Sequence, residues 1–380
     1  MSRDKTTETL AQMRAQLDVV DQTLMQTAAA RQALVAKIGA AKLETGGALF
    51  DRVRERQVYE KARENAEDAG LDPAVGQRLI NVLVEASHRL QARQLAEGKR
   101  ADVSPRHFLI IGGGGGMGSL FCGALRERGH RVSILEADDG QDPAALVPAA
   151  EVVVVCVPMD KACEVARSVG PLLNEDALLC DVNSLKSEVC QAMAEAFDGQ
   201  VLGTHPMFGP SVSTLRRQKV VVCPVRPGPL TDWLPREFAQ MGLEIIESDP
   251  SHHDRMMAVV QVLVHFHTIV MGEALRRTGI TIEESLRFTS PIYRLELSIV
   301  GRLFAQDPGL YAEIEMTNPY GPEVIEHFSA AAQHVAKVVR DGQRQTFHET
   351  FGAVTDYFSA FSTEAMQLSD FLIDTLVARP

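Results

Sequence analysis

The chain has 380 residues, 45% of them hydrophobic and 23% charged, and a formal net charge of -12. That length accommodates two or three domains, and the apolar content excludes a disordered protein. The acidic balance argues against nucleic acid or an anionic membrane surface as partner, though local basic clusters can still bind small anions. The 6 cysteines stand singly with no CxxC pair. This is the pattern of reduced thiols rather than of a disulfide framework or a zinc site, so no metal is expected. The N-terminal MSRDKTTETL lacks the apolar core of a signal peptide, and no apolar run reaches the ~18–20 residues of a membrane span. A soluble, cytoplasmic protein is expected.

Residues 8–42 follow a helical pattern. Leu10, Met13, Leu17, Val20, Leu24, Thr27, Arg31, Leu34 and Ile38 recur at alternating steps of three and four, the period of a coiled-coil seam. A helix of that length extends ~50 Å. Gly46-Gly47 breaks it, a second helix is expected from near Asp51 to before Gly70, and Asp72-Pro73 caps a third that runs to about Glu97. Three helices cannot bury such a seam within one chain, so an intertwined homodimer is expected.

This helical part holds cations in unusual places. Arg31 occupies a seam position, and Lys42, eleven residues on, lies within ~20° of the same face. Asp51, Arg54 and Glu55 share one face of the second helix, and Ser87 and Gln91 one face of the third. Arg14 points roughly 100° away from Arg31, as it would to serve the partner subunit's pocket. Buried cations without partners cost several kcal/mol, on the order that a dianionic ligand would offset.

Residues 99–106 read as a polar linker that ends a helical domain, 1–98. Short apolar runs at 107–111, 131–136, 151–157, 177–181, 201–204 and 219–223 suit buried strands, with helical stretches between most of them. Such alternation predicts a doubly wound, mostly parallel sheet over 107–250. From about Ser251 the strand signal stops, and 251–380 reads as a helical domain. The fold class is therefore multi-domain, α and α/β.

Gly113, Gly115 and Gly118 form GxGxxG between the first strand and a helix, the arrangement that brings backbone N–H groups onto a pyrophosphate at a helix N-terminus. Glu136, 18 residues past Gly118, ends the next strand. A carboxylate there accepts from the adenosine ribose hydroxyls and repels a 2′-phosphate, so NAD is expected rather than NADP. His205 lies between a strand end and a Gly-Pro turn, at the sheet edge where ligands bind in such folds. Ser184 follows the preceding strand, and His265, Arg294 and Gln306 lie in the helical C-terminal part.

At residues 8–95 the chain resembles the all-helical chorismate mutase family, whose sites are shared between two intertwined chains. The resemblance implies that Arg14 from the partner, Arg31 and Arg54 hold the substrate carboxylates. By the same likeness Lys42 and Gln91 hydrogen-bond the ether oxygen, Glu55 takes the ring hydroxyl, and Asp51 and Ser87 support the pocket. Over about 105–375 the chain is similar to the prephenate dehydrogenase family. There the resemblance implies that His205 takes the C4 hydroxyl proton, Arg294 binds prephenate's carboxylate, and Ser184 holds the ring hydroxyl and nicotinamide region. His265 and Gln306 would line the pocket. Together these imply a bifunctional enzyme that rearranges chorismate to prephenate and oxidatively decarboxylates it with NAD. The bifunctional family has Glu where this chain has Gln91, an amide that donates at any pH. The stretch 318–323, with Pro319 and Pro322, also departs from that family, so tyrosine feedback is not carried over. Competing readings are an arogenate dehydrogenase and, outside enzymes, a dimeric NAD-sensing regulator.

Overall fold

The computed structural model describes residues 2–44, 52–99 and 104–377. The chain divides into two compact units, Met1–Pro105 with Ala124–His130, and Arg106–Gly123 with Arg131–Pro380.

The first unit contains α1 (Ser2–Glu44), α2 (Arg52–Asp68) and α3 (Pro73–Lys99). Asp72 caps α3, its carboxylate accepting from the Ala74 N–H at 2.8 Å, and Pro73 supplies the fixed φ that suits a first helical position. α3 continues to Lys99, the first residue of the stretch read as a linker, and residues 100–103 of that stretch lie outside the described residues. Ala62, Ala66, Val84 and Ser87 are buried, and Tyr59 donates to Asn81 Oδ1 at 3.0 Å to tie α2 to α3. The seam of α1 is not covered: Leu10, Met13, Leu17, Val20, Leu24, Leu34 and Ile38 are between 46% and 62% exposed.

The second unit is built on a seven-stranded sheet. Its strands are β1 (His107–Ile111), β2 (Arg131–Leu135), β3 (Val152–Val155), β4 (Leu178–Asp181), β5 (Gln200–Pro206), β6 (Lys219–Arg226) and β7 (Glu244–Glu247). They lie in the order β2-β1-β3-β4-β5-β6-β7. The first five are parallel; β6 runs antiparallel to β5, and β7 parallel to β6. Every residue of β1, β3 and β4 is buried, the condition under which strands read as unbroken apolar runs. Alternate side chains serve the two faces. Leu109, Ile111, Val153, Val155 and Leu179 join Ala162, Ala166, Val189 and Met193 in one core. On other positions Phe108 meets Trp233 at 6.0 Å between ring centroids. The expected strands are all present, and β7, a short edge strand with a glutamate at each end, is additional.

The C-terminal part of this unit is helical. Asp249, Ser290 and Asp307, each followed by proline, cap the helices Pro250–Met257, Pro291–Phe304 and Pro308–Thr317. The chain continues from Pro250–Met257 through a π-helical stretch, Ala258–Leu263, into Val264–Thr278. Among the described residues Pro250–Thr278 is, by length and composition, one helix long and apolar enough to cross a membrane, contrary to the sequence expectation. It nevertheless buries His253 and Asp254 within the fold, groups costly to place in a bilayer.

Candidate active sites

In the first unit α1 and α3 bring Arg31 onto Ser87. Arg31 Nη1 donates to Ser87 Oγ at 2.9 Å and to Leu83 O at 3.1 Å. Gln32 Nε2 donates to the same carbonyl at 2.8 Å, and its Oε1 lies 3.1 Å from Ser87 Oγ. Burial lowers the Arg31 pKa from its usual value, with Tyr59 opposing. Arg31 of the seam and its neighbour Gln32 are thus held by hydrogen bonds instead of left to solvent. Lys42 and Glu55 are half-buried, whereas Arg14 and Arg54 are exposed; Arg54 Nη1 donates to Gln57 Oε1 at 3.2 Å. Asp51 and the side chain of Gln91 lie outside the described residues.

In the second unit the chain leaves β1 for β2 on one side and reaches β3 on the other, the switch point where ligands bind in open sheets. The glycine turn fills this point, and α4 (Gly116–Glu127) begins inside the motif rather than after it. Gly112, which the motif spacing passes over, has φ +82°, and a Cβ there would stand 2.3 Å from Cys156 O. At Gly118 a Cβ would stand 2.3 Å from Gly112 O, so the third motif glycine lets the helix close onto the turn. Glu136 follows β2 directly, and its carboxylate accepts from the Gly114 N–H at 2.5 Å. A turn that only glycine can form, a helix N-terminus and a carboxylate beside them fit a dinucleotide.

The parallel strands deliver their C-terminal ends to this same edge. Asp181 ends β4, and His205 is the penultimate residue of β5. Lys186 and Asp181 are fully buried and ion-paired, and Lys186 Nζ also donates to Thr204 O at 2.8 Å. Asn183 N (2.9 Å) and Thr204 N (3.3 Å) donate to the Asp181 carboxylate. Burial raises the Asp181 pKa, while the Lys186 ammonium and these N–H groups oppose it. The network stitches β4 to β5 immediately before His205.

His205 is 3% exposed. Its Nδ1 lies 2.9 Å from His253 Nε2, and its Nε2 is 3.5 Å from Gln261 Nε2. Burial, with His253 and Lys186 adding to it, holds the imidazole well below its usual pKa. A neutral imidazole can accept a proton, which suits a general base. Gln261 comes from the π-helical stretch and has a buried Oε1 with no hydrogen-bond partner. Nearby thiols are poor nucleophiles: burial pushes Cys156, which follows β3, up to about 12.

The remaining expected residues are distributed unequally. Ser184 is half-buried in the loop between Asp181 and Lys186. His265 is half-buried, with Nδ1 3.6 Å from Glu315 Oε1 and its ring edge-on to Tyr311 at 4.9 Å. Arg294 and Gln306 are exposed, and Gln306 Nε2 donates to Arg302 O at 3.1 Å. Arg302, on the same helix as Arg294, donates from Nη2 to Ser211 Oγ at 3.3 Å, in the loop after His205. It also acts on Tyr311, whose phenol burial raises and the guanidinium opposes. Sequence reasoning gave no role to Lys186, His253, Asp254, Gln261, Arg302 or Glu315. Only the His253-Asp254 dipeptide behind a capping Asp249-Pro250 offered a local signal.

A dinucleotide turn at the switch point and a buried neutral histidine at the same sheet edge define a nicotinamide-dependent oxidoreductase. Comparison with known proteins places it within that class. Residues 13–92 match the model of chorismate mutase type II. Residues 123–233 match the nucleotide-binding domain of prephenate dehydrogenase, and 249–353 its dimerization domain. The T-protein of Haemophilus influenzae is 33% identical over 367 residues, covering 96% of this chain and 97% of its own. The T-protein of Enterobacter agglomerans is 33% identical over 349 residues, covering 92% and 93%. The structure of Aquifex aeolicus prephenate dehydrogenase with hydroxyphenyl propionate and NAD+ superposes with a TM-score of 0.56 at 18% identity. It covers 70% of this chain and 99% of that one, a likeness of fold.

The chain belongs to the T-protein family. It is a bifunctional chorismate mutase and prephenate dehydrogenase of tyrosine biosynthesis, and its cofactor is NAD.

Proposed function

We propose that His205 is the general base of the dehydrogenase. The observation that carries this reading is a neutral, buried imidazole at the sheet edge that also holds the glycine turn. The glycine turn, the N-terminus of α4 and Glu136 would hold NAD, which when bound supplies the hydride acceptor. As hydride leaves C4 of prephenate, the C4 hydroxyl proton passes to His205 and a carbonyl forms at C4. Loss of CO2 from the resulting dienone restores the aromatic ring and makes the step irreversible. Ser184 and His265 line the pocket in this reading. For the substrate carboxylate, Arg302 is better placed than Arg294, because it reaches Ser211 in the loop that follows the His205 strand. Gln306 packs back on the same helix and supports Arg302.

The mutase needs no proton transfer; it needs a compact conformer and cations where negative charge develops. Arg31 and Arg54, with Arg14 of a second chain, would bind the two carboxylates of chorismate. Lys42 and Gln91 would bind the ether oxygen, Glu55 the ring hydroxyl, and Asp51 and Ser87 would hold these in place. The uncovered seam of α1 supports a homodimer intertwined through that helix. Functional boundaries near residues 98, 107 and 250 follow from the same assignment. The free thiols of Cys122, Cys156, Cys163, Cys180, Cys190 and Cys223 support a reducing, cytoplasmic location.

The test is NADH formation from chorismate alone, with prephenate and arogenate supplied separately. Chorismate and prephenate should both support it, and arogenate should be the poorer substrate. A preference for arogenate would overturn the substrate assignment while leaving the base untouched.

A further inference from the structure

His205 is one end of a buried hydrogen-bonded chain. Behind its Nδ1, at 2.9 Å, stands His253 Nε2, and the two rings meet edge-on with centroids 5.1 Å apart. His253 Nδ1 lies 2.8 Å from Asp254 Oδ1. His253 is 2% and Asp254 1% exposed. Asp254 Oδ1 also accepts from Lys186 N at 2.7 Å, and Oδ2 from Ser187 N at 2.8 Å. The carboxylate therefore sits on the N-terminus of the helix Ser187–Ala196, while its own carbonyl accepts from Asn318 Nδ2 at 2.9 Å. Burial would raise its pKa, but the bonds from His253, Ser187 and Lys186 hold it below the usual value.

The direction of the chain follows from these partners. An ionised carboxylate can only accept. His253 must then carry its proton on Nδ1. In neutral His253 the lone pair is left on Nε2, and it accepts from His205 Nδ1–H. Neutral His205 thereby keeps its lone pair on Nε2, the nitrogen on the side of Gln261 and its partnerless buried Oε1. The reverse direction would need a second buried cation at His253, close to the Lys186 ammonium.

We propose that His253 and Asp254 are positioning residues of the dehydrogenase: the carboxylate sets the direction of both hydrogen bonds and leaves His205 unprotonated at the nitrogen that meets substrate. This rests on the assignment of His205 as base. The substrate hydroxyl proton passes to His205 Nε2. The imidazolium so formed keeps its Nδ1–H on His253, and no second proton moves. The titratable groups around His205 are His253, backed by Asp254, and Lys186, held by Asp181.

The direct test is imidazole nitrogen NMR of the full chain labelled at histidine, with His205 assigned by difference against His205→Asn. At neutral pH His205 should show a protonated Nδ1 and an unprotonated Nε2. A protonated Nε2, or an imidazolium at His253, overturns the proposal. The kinetic test separates hydrogen bonding from packing. His253→Gln keeps an oxygen that can accept from His205 Nδ1–H, and should hold kcat within roughly tenfold of wild type. His253→Leu has no acceptor and should lose about 10²–10³ in kcat, within the range of general-base loss. KM for prephenate and Kd for NAD should stay within roughly threefold in both. Equal losses in kcat for the two variants overturn the proposal. Should His253→Leu fail to fold, the tautomer measured in wild type and in His253→Gln decides. An unimpaired His205→Asn enzyme would instead overturn the base assignment, and the tautomer would still report on the chain.

Discussion

Arg31 and His205 each sit in a fixed polar network, but the two networks are completed differently. Arg31 is held by Ser87 and Leu83 of its own chain, on a helix whose apolar seam remains about half exposed. His205 is held by His253 and Asp254, all three buried within one unit. The contrast follows the chemistry. A pericyclic rearrangement asks for cations and shape, which exposed helix faces can supply once a second chain covers them. Proton removal asks for a base kept neutral and aimed, which burial and a hydrogen-bonded chain supply without a partner.

The largest effect should come from His205→Asn. Dehydrogenase kcat should fall about 10²–10⁴-fold while chorismate mutase activity is unchanged, and steady-state rates on the two substrates check both. Because the folded pKa of His205 is depressed, the neutral base survives as pH falls past the ordinary imidazole value. The acid limb of kcat/KM for prephenate should lie below about pH 6.5. The same depression means that the stability contributed at this site is present above about pH 6.5 and lost below it. An acid limb at or above the ordinary value would break the contrast, because burial would then not be what keeps the base neutral.

Next in size is the pair of arginines on one helix. Arg302→Gln should raise KM for prephenate roughly 10- to 150-fold, the equivalent of a charge-assisted contact of about 1.5–3 kcal/mol. Arg294→Gln should change it less, since that side chain is exposed. The opposite ranking would return the carboxylate to Arg294.

A smaller signal tests whether the mutase site crosses the dimer. Arg14→Ala and Arg31→Ala chains, each inactive alone, should recover about a quarter of wild-type mutase activity on random mixing. Half the dimers are then hybrids with one intact site of two. No recovery with hybrids demonstrated would make the mutase site as self-contained as the dehydrogenase site.

The smallest change concerns Gln91. An amide donor does not titrate, so the wild-type mutase rate should stay level from mildly acidic to mildly alkaline pH. Gln91→Glu should be active only while the carboxyl is protonated, with a pKa of ~4.3 raised by burial. Rate–pH profiles of both forms decide. A steep wild-type loss between about pH 5 and 7 would remove Gln91 from the ether oxygen.

Much of this molecule was legible in its sequence because burial writes simple patterns. HFLII, VVVV and LLCD are buried along their whole length and read directly as parallel strands. The glycine motif and Glu136 were readable because their spacing is set by backbone geometry. β7 was not, since EIIE at a sheet edge is mostly solvent-facing and carries charge at both ends. The pairing of Lys186 with Asp181 was invisible for the opposite reason: a lysine in a sequence reads as surface, and only the fold shows it fully buried against that carboxylate. The bond that starts the buried chain to Asp254 joins His205 to His253, 48 positions apart, which no local period reports. Of the residues proposed for the mutase, which the sequence offered by shared helix faces, the structure brings Arg31 onto Ser87, while Asp51 and the Gln91 side chain lie outside the described residues.

The π-helical stretch Ala258–Leu263 has one further consequence. A π turn is an α-helix carrying one surplus residue, absorbed locally so that the flanks keep their faces. Taking one residue out of that stretch would let the helix close to regular geometry, with His253 before it and His265 after it still on their present sides. The shortened protein should fold and stand heat at least as well as its parent. It would lose only the sideways presentation of Gln261 toward His205. The surplus residue therefore sets how Gln261 meets His205, and its removal should lower turnover while the thermal midpoint holds or rises.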